Sequence, residues 1–543
     1  MYINYNNLLS IFNSFKVPFF VFGFLMLANI GYSTAIGNDN GGDLYVGWAM
    51  VDMTPSEPLI MYGSKISEGV LDPITATVLV IESRKGAISE NVIMISCDLI
   101  SIPDGSRDKA DNLRDSVRAQ VIKLFPDIKP EQIILNATHT HSAPHISTRT
   151  VKEVVGVELD VTQPGEYFDF ITRKIATAVG EAWGSRKPGG ISYGFDYAVI
   201  GHNRIQVEFS GKAQMHGNIN KPEFSHIEGY QDHSMNLLYT WDKDSNLTGV
   251  VINVACTSQA TYGSLLSSDF WANTRKELGK RLGEKIYILP QSSAGGDLSP
   301  HDLIIDERAN DRMNQLKFPD YEAYRLRLRE GLADRISNSV TATLPYMKEV
   351  IEWNPIVKHE MEVVGLSKLI ISPEDVVEAL ISYPGKPDHL QLDYYEEQYK
   401  KGLKEVEDNP SIKKTNPQWY TKISSSHAMI RRAKRVQHHY DTQLAEPKYY
   451  VEIHTIRIGD IAIATNPFEL YLDYGIRMKA RSPAIQTFVV QLAGSGYYLP
   501  TQRAIDGRGY GSTPASNVVG PKGGQELVEH TLRLIKGMWE DGD

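Results

Sequence analysis

The chain has 543 residues, 42% of them hydrophobic and 22% charged, a composition that excludes a largely disordered protein. Its 56 Lys and Arg against 66 Asp and Glu leave a formal net charge of −10. That is the opposite of the basic stripe of a nucleic-acid binder, so no nucleic-acid partner is expected, and two cysteines, Cys97 and Cys256, exclude a disulfide-stapled scaffold.

Residues 1–35 carry one charged side chain, Lys16, ahead of an apolar run over 17–30. The run falls short of the roughly 20 residues a membrane span needs, and Ser33 and Ala35 supply the small residues of a cleavage site. Residues 1–35 therefore read as a signal peptide. The expected product is secreted or periplasmic, with no transmembrane span once the signal is removed. From residue 36 to 348, buried-strand patterns at 92–97, 133–137, 250–256 and 286–290 alternate with helical spacing at 107–124, 168–183 and 273–282. This alternation predicts an α/β fold of mixed β-sheets covered by helices. Over 349–448 aromatic and charged residues dominate, which reads as a mostly helical insertion. Its basic run Arg431, Arg432, Lys434, Arg435, His438, His439 is either a solvated helix face or a site for an anionic ligand. The α/β pattern resumes over 449–543, with a hairpin at 451–465, a helix from about residue 469 to 481, a strand at 487–492 and a last helix at 524–539. Parts 36–348 and 449–543 together predict one large unit.

The chemistry-bearing motifs follow buried strands, where α/β sheets bind ligands. After 133–137 comes Thr138-His139-Thr140-His141-Ser142-Ala143-Pro144. In extended chain His139 and His141 face the same side, one able to bind a metal while the other orients a substrate or a proton, unless both are structural. After 286–290 comes a loop with Gly295-Gly296-Asp297-Leu298-Ser299-Pro300-His301. Adjacent glycines let backbone approach a ligand, and Ser299 as a nucleophile would need a base or a metal. A Gly/Ser loop with an Asp-mediated turn is the alternative, and the missing G-x-S-x-G elbow argues against an α/β-hydrolase. Glu469, in Asn466-Pro467-Phe468-Glu469, is a dipole-favoured helix-start residue or an oxygen ligand. Tyr498, Tyr510 and the pair Asn203-Arg204 complete the set.

In this order the motifs resemble the neutral (alkaline, non-lysosomal) ceramidase family. The family shows a strand ending T-H-T-H-S-G-P, an N-R pair, a G-D-x-S-P-N loop, a late P-x-E and a tyrosine-bearing loop. Here they stand at Thr138 to Pro144, Asn203-Arg204, Gly296 to Pro300, Pro467 to Glu469 and Tyr497-Tyr498. The resemblance implies hydrolysis of an N-acyl amide such as a sphingolipid. It assigns His139, Glu469 and Tyr498 to one zinc ion per chain, and Ser299 to catalysis with Asp297 beside it. It assigns His141, Arg204 and Tyr510 to the substrate amide. The family's second histidine ligand is missing, since the matching stretch reads Ala255-Cys256-Thr257-Ser258-Gln259. Cys256 is the candidate substitute as a thiolate, with Asp269 also available, although a buried strand cysteine is commonly just a small hydrophobe. His301 replaces the Asn and Ala143 the Gly. The expectation is an exported zinc-dependent amidohydrolase for a small-molecule, lipid or glycan substrate. Two alternatives stand beside it. One is a glycan-active hydrolase on the same framework, motivated by Trp353, Tyr394, Tyr395 and Trp419. The other is a metal-free binding homologue, motivated by the missing histidine.

Overall fold

Runs such as Val92-Ile93-Met94-Ile95, apolar on both faces, can only be satisfied in a sheet covered on both sides. The computed structural model describes residues 41–304, 306–379 and 392–540, all within a unit spanning Asp39–Asp543; the stretch read as a signal peptide lies outside the described residues. Eight strands form the larger sheet. Their spatial order is Tyr287–Ser292, Leu247–Val254, Ser234–Asp242, Lys187–Tyr197, Asp43–Asp52, Thr75–Lys85, Ile88–Cys97, Ile133–Ala137. A four-stranded sheet runs Val357–Ser367, Lys448–Ile458, Ile461–Thr465, Gln486–Val490.

The two sheets pack face to face through Leu79, Ile81, Met94 and Leu289 against Ile456, Ile463 and Phe488. Helices Leu113–Leu124 and Pro164–Gly184 cover one half of the larger sheet's outer face, and Phe270–Leu282 and Tyr324–Lys348 the other half. Helix Pro521–Glu540 covers the smaller sheet. The result is four layers, helix, sheet, sheet, helix, with mixed sheets as expected. Burial of each Val, Leu, Ile or Phe side chain in these layers contributes about 1.5–3 kcal/mol.

Parallel pairing requires a crossover, and three pairs have one. Ile88–Cys97 and Ile133–Ala137 are joined through Leu113–Leu124, Leu247–Val254 and Tyr287–Ser292 through Phe270–Leu282, and Ile461–Thr465 and Gln486–Val490 through Leu472–Arg481. These three strand–helix–strand units deliver their carboxyl ends to one region.

Three expectations change. The helix expected from residue 107 begins at Leu113, where the Asn112 side chain accepts from the Asp115 N–H at 3.0 Å and caps it. Arg107 is left in a loop. The segment 349–448 is not helical at its start, because Val357–Ser367 pairs along its whole length with Lys448–Ile458. Glu360 and Glu362, on the face that meets the helix Pro521–Glu540, masked the alternation. Helices follow at Pro373–Ala379, Leu392–Asp408, Ile412–Thr415 and Thr421–Thr442. Finally, Glu469–Leu470 is a short strand, and the helix starts only at Leu472. Of the aromatics considered for sugar stacking, Trp419 packs with Tyr420 against Ile60, Val151 and Ile423, a core role. Among the described residues no helix is long and apolar enough to cross a membrane.

Asp98, fully buried, ties this architecture together beside the His139 motif. Its carboxylate accepts from Thr75 N at 3.1 Å, Thr75 Oγ1 at 2.7 Å, Arg275 Nη1 at 2.9 Å and Thr138 Oγ1 at 3.3 Å. Asp98→Ala leaves Arg275 without its counter-ion and the Thr75 donors unpaired. Removing one partner of a buried pair costs about 3–5 kcal/mol. Urea unfolding of the variant should show a loss of that size.

Candidate functional site

Backbone hydrogen bonds stitch the strand ends together. Ala137 N donates to Leu492 O at 3.1 Å, Gln491 N to Ser292 O at 3.0 Å, Ser293 N to Val254 O at 2.8 Å and Asn466 N to Val490 O at 2.9 Å. The loops after residues 137, 254, 292, 465 and 490 therefore share one crevice, which brings the sequence motifs together.

His139 sits at φ 65°, in the left-handed region that costs a non-glycine residue about 1–3 kcal/mol. Its N–H donates to Leu99 O at 3.0 Å, and its Nδ1 lies 2.6 Å from Ile100 O. A carbonyl can only accept, so Nδ1 carries a proton, and Nε2 faces the crevice. The His139–His141 stretch is thus not extended, yet the two rings still meet edge to face, with Nε2 atoms 3.4 Å apart. Glu469 reaches them from its short strand, its Oε2 at 3.3 Å from His139 Nε2. Glu469 pairs in register with Tyr498 on a parallel strand, which sets the carboxylate and the phenol side by side. Burial alone would raise the Glu469 pKa, but His139, Arg204 and Tyr498 outweigh it and hold the carboxyl below its ordinary range. The Tyr498 phenol is pushed well above its ordinary value by burial and by Glu469.

Arg204 is the buried cation of the site, 2% exposed. Its Nη2 donates to Gly296 O at 2.8 Å and to Tyr498 Oη at 3.3 Å, and its Nη1 to Gln259 Oε1 at 2.9 Å. Gly296 must be glycine here, because a Cβ would stand 2.4 Å from Glu469 O. Gln259 is a residue the sequence reading passed over. Arg204 holds its carbonyl oxygen, so its amide nitrogen faces His141 Nε2 at 2.6 Å. The imidazole must then accept, which makes His141 the neutral Nδ1–H tautomer. Burial, then His139 and Arg204, also hold the His141 pKa well below its ordinary value. Gln259 was missed because an amide neither titrates nor ranks among common metal ligands. Its position in a polar Thr-Ser-Gln run after a buried strand was the available signal.

The serine loop is built differently from expectation. Ser299 is fully buried, and its hydroxyl accepts from the His301 N–H at 3.2 Å; no base among the described residues hydrogen-bonds it. Among the described residues the Asp297 carboxylate hydrogen-bonds groups other than Ser299. It accepts from Leu472 N at 2.9 Å and Asn203 Nδ2 at 3.2 Å, which fixes the loop against the start of the helix Leu472–Arg481. Burial raises its pKa to about 6. Tyr510, 46% exposed, lies edge-on to Tyr498 at 6.0 Å. Tyr62, 43% exposed and not anticipated from sequence, lies edge-on to His141 at 5.1 Å.

Cys256 is not brought to these groups. It belongs to the core cluster with Met235, Ile252 and Phe270, and its thiol faces Ile200 O at 3.6 Å and Thr257 O at 3.3 Å. Burial pushes its pKa up, against formation of a thiolate. Thr257 Oγ1 donates to Leu298 O, and Asp269 is spent on Ala260 N, Thr261 N and Phe270 N. None of the three replaces the missing histidine. What remains is His139 Nε2, Glu469 and the Tyr498 phenol. The 3.3 Å between His139 Nε2 and Glu469 Oε2 is the separation two ligands take on one tetrahedral zinc with bonds of about 2.0–2.1 Å. Glu469 Oε2 is buried and has no hydrogen-bond partner of acceptable geometry. Among the described residues no third His, Cys, Asp or Glu completes a metal-holding group. Two donors, His139 Nε2 and Glu469 Oε2, are thus spaced as ligands of one zinc would be, with Tyr498 paired beside Glu469.

The fold is that of known neutral ceramidase structures. Neutral ceramidase from Pseudomonas aeruginosa matches with a TM-score of 0.60 at 15% identity, over 91% of this chain and 75% of that one. A ceramidase complexed with C2 matches with a TM-score of 0.60 at 16% identity, over 92% and 75%. No protein-family model matches the chain, and no curated protein does.

Two outcomes follow from the Arg204–Gln259–His141 chain. Gln259→Leu strands a guanidinium N–H and an imidazole acceptor in the interior, at about 1–3 kcal/mol in urea unfolding. The pH dependence has a definite sign. A histidine whose folded pKa is depressed refuses a proton that the unfolded chain accepts, so stability falls as pH drops below about 6.5. His141→Gln should lose less stability than the parent between pH 7 and 5.

Proposed function

We propose that this chain is an exported, neutral-ceramidase-like hydrolase that cleaves an N-acyl amide, with one zinc held by His139, Glu469 and Tyr498. The observation that carries the reading is the His139 Nε2–Glu469 Oε2 approach at 3.3 Å with Tyr498 in register beside Glu469. The shared fold and the order of the motifs support it. Zinc in that position would lower the pKa of a bound water or polarise the amide carbonyl.

The chain's own groups supply the remainder. Glu469 stays ionised at neutral pH, and the buried Arg204 guanidinium offsets its charge. Neutral His141 carries its proton on Nδ1, and in this reading donates it in a hydrogen bond to the substrate amide. Tyr62, its pKa pushed up to about 12 by burial, remains a protonated donor at neutral pH beside Tyr510, where negative charge develops on an amide oxygen. In this reading Ser299 is the catalytic hydroxyl, and Asp297 positions its loop. Cys256 is a core residue in the same reading.

The test is hydrolysis of ceramide by the purified chain, read as fatty acid released by mass spectrometry. Ser299→Ala and His139→Ala should each lower kcat/KM by at least about 100-fold with circular dichroism unchanged. Cleavage of glycosides with no fatty acid released from any N-acyl amide would overturn the reading in favour of a glycan-active hydrolase.

A further inference from the structure

The helix Thr421–Thr442 carries its basic run to the rim of this crevice. The Arg432 guanidinium lies over the Tyr510 ring at 5.3 Å, and its Nη2 donates to Ser516 Oγ at 3.2 Å. Ser516 O in turn accepts from Tyr498 N at 3.1 Å, which joins this arginine to the Glu469–Tyr498 strand pair. From the opposite side Arg107 lies over the Tyr497 ring at 4.2 Å, and its Nη1 donates to Ser495 O and Gly496 O at 3.2 and 3.1 Å. Arg435 follows Arg432 by three positions on the same helix, so the two share one side of it. Burial first, then the charge of Arg107, and further those of Arg431 and Arg432, lower its pKa to about 10. The fields of Arg107 and Arg432 also reach Tyr62.

Two features separate this array from a solvated helix face. First, the array joins two segments distant in sequence, Arg107 in a loop and Arg432 on the helix, which meet at the Tyr497–Tyr498 loop and Tyr510. Second, other surface arginines find carboxylates, as Arg481 does with Glu529 and Arg503 with Asp473. Among the described residues Arg107, Arg432 and Arg435 have no such partner, and Arg432 Nε is buried and unpaired. Three like charges gathered at one rim repel one another unless an anion joins them.

We propose that Arg107, Arg432 and Arg435 form an anion subsite at the mouth of the crevice, for a phosphate, sulfate or carboxylate carried by the substrate near its scissile bond. The guanidinium forks suit such planar or tetrahedral oxyanions. Binding of the anion stands on the array itself; its being part of the substrate rests on the hydrolase reading.

Calorimetric titration of the full chain with inorganic phosphate, sulfate and acetate tests the subsite and ranks the three chemistries. Arg107→Gln and Arg435→Gln should each weaken the preferred anion about tenfold, as loss of one charge-assisted hydrogen bond predicts. Arg477→Gln, which lies elsewhere on the surface, should leave it unchanged. Raising sodium chloride from about 0.05 to about 0.5 M should weaken binding further. A parallel assay compares kcat/KM for N-acyl amides with and without an anionic group, where Arg435→Gln should erase a preference of about tenfold. Anion binding without cleavage of either amide upholds the subsite and sinks the hydrolase reading. Cleavage without anion binding, or equal affinity in parent and arginine variants, overturns the subsite.

Discussion

A permanent positive charge buried at the centre of the crevice sets the terms for the groups around it. A guanidinium cannot shed its proton, so Arg204 must have every available acceptor arranged for it or destabilise the fold by several kcal/mol. The Gly296 carbonyl, the Gln259 amide and the Tyr498 phenol take up its Nη1 and Nη2 donors, while its Nε is buried without a partner. Each then passes a constraint onward. Gln259 is turned so that its nitrogen faces His141, and that fixes the imidazole tautomer. Gly296 is drawn against the Glu469 backbone, where no side chain would fit. Glu469 keeps its negative charge despite burial, because His139, Arg204 and Tyr498 all favour it.

The fold supplies this centre by repeating one device. Three strand–helix–strand crossovers aim their carboxyl ends at the same place, and buried carboxylates latch the loops that follow. Asp98 holds the strand before His139, Asp269 the loop carrying Gln259, and Asp297 the serine loop. Asp269, itself at φ 58°, and His139 at φ 65° are backbone outliers in this region. His139 follows a strand and Asp269 caps the helix Phe270–Leu282, and such strain persists only where surrounding contacts over-determine it.

Much of the scaffold was legible in the sequence, because buried strands advertise themselves as unbroken apolar runs and crossover helices as 3.6-residue spacing. The order of His139, Arg204, Ser299, Glu469 and Tyr498 along the chain was legible too. Their convergence was not, since it depends on parallel pairings between strands far apart in sequence. Three local readings failed for identifiable reasons. Glu469 looks like a helix-start residue, but the helix waits until Leu472, whose N–H is claimed by Asp297. Strand Val357–Ser367 hides behind Lys358, Glu360 and Glu362, charged residues on the face that meets the last helix. Arg107 continues a helical pattern that the Asn112 cap cuts off. Cys256, the chemically attractive substitute for a missing ligand, sits one residue away in sequence from the polar run but faces the core instead.

The zinc K-edge absorption spectrum of the purified, zinc-loaded chain tests the central claim most directly, since it reads the atoms around the metal. The account predicts a shell of nitrogen and oxygen only, near about 2.0–2.1 Å, with scattering from a single imidazole that disappears in His139→Ala. A sulfur at about 2.3 Å would place Cys256 at the metal and contradict the structure's assignment of that thiol to the core; so would an imidazole shell unaffected by loss of His139.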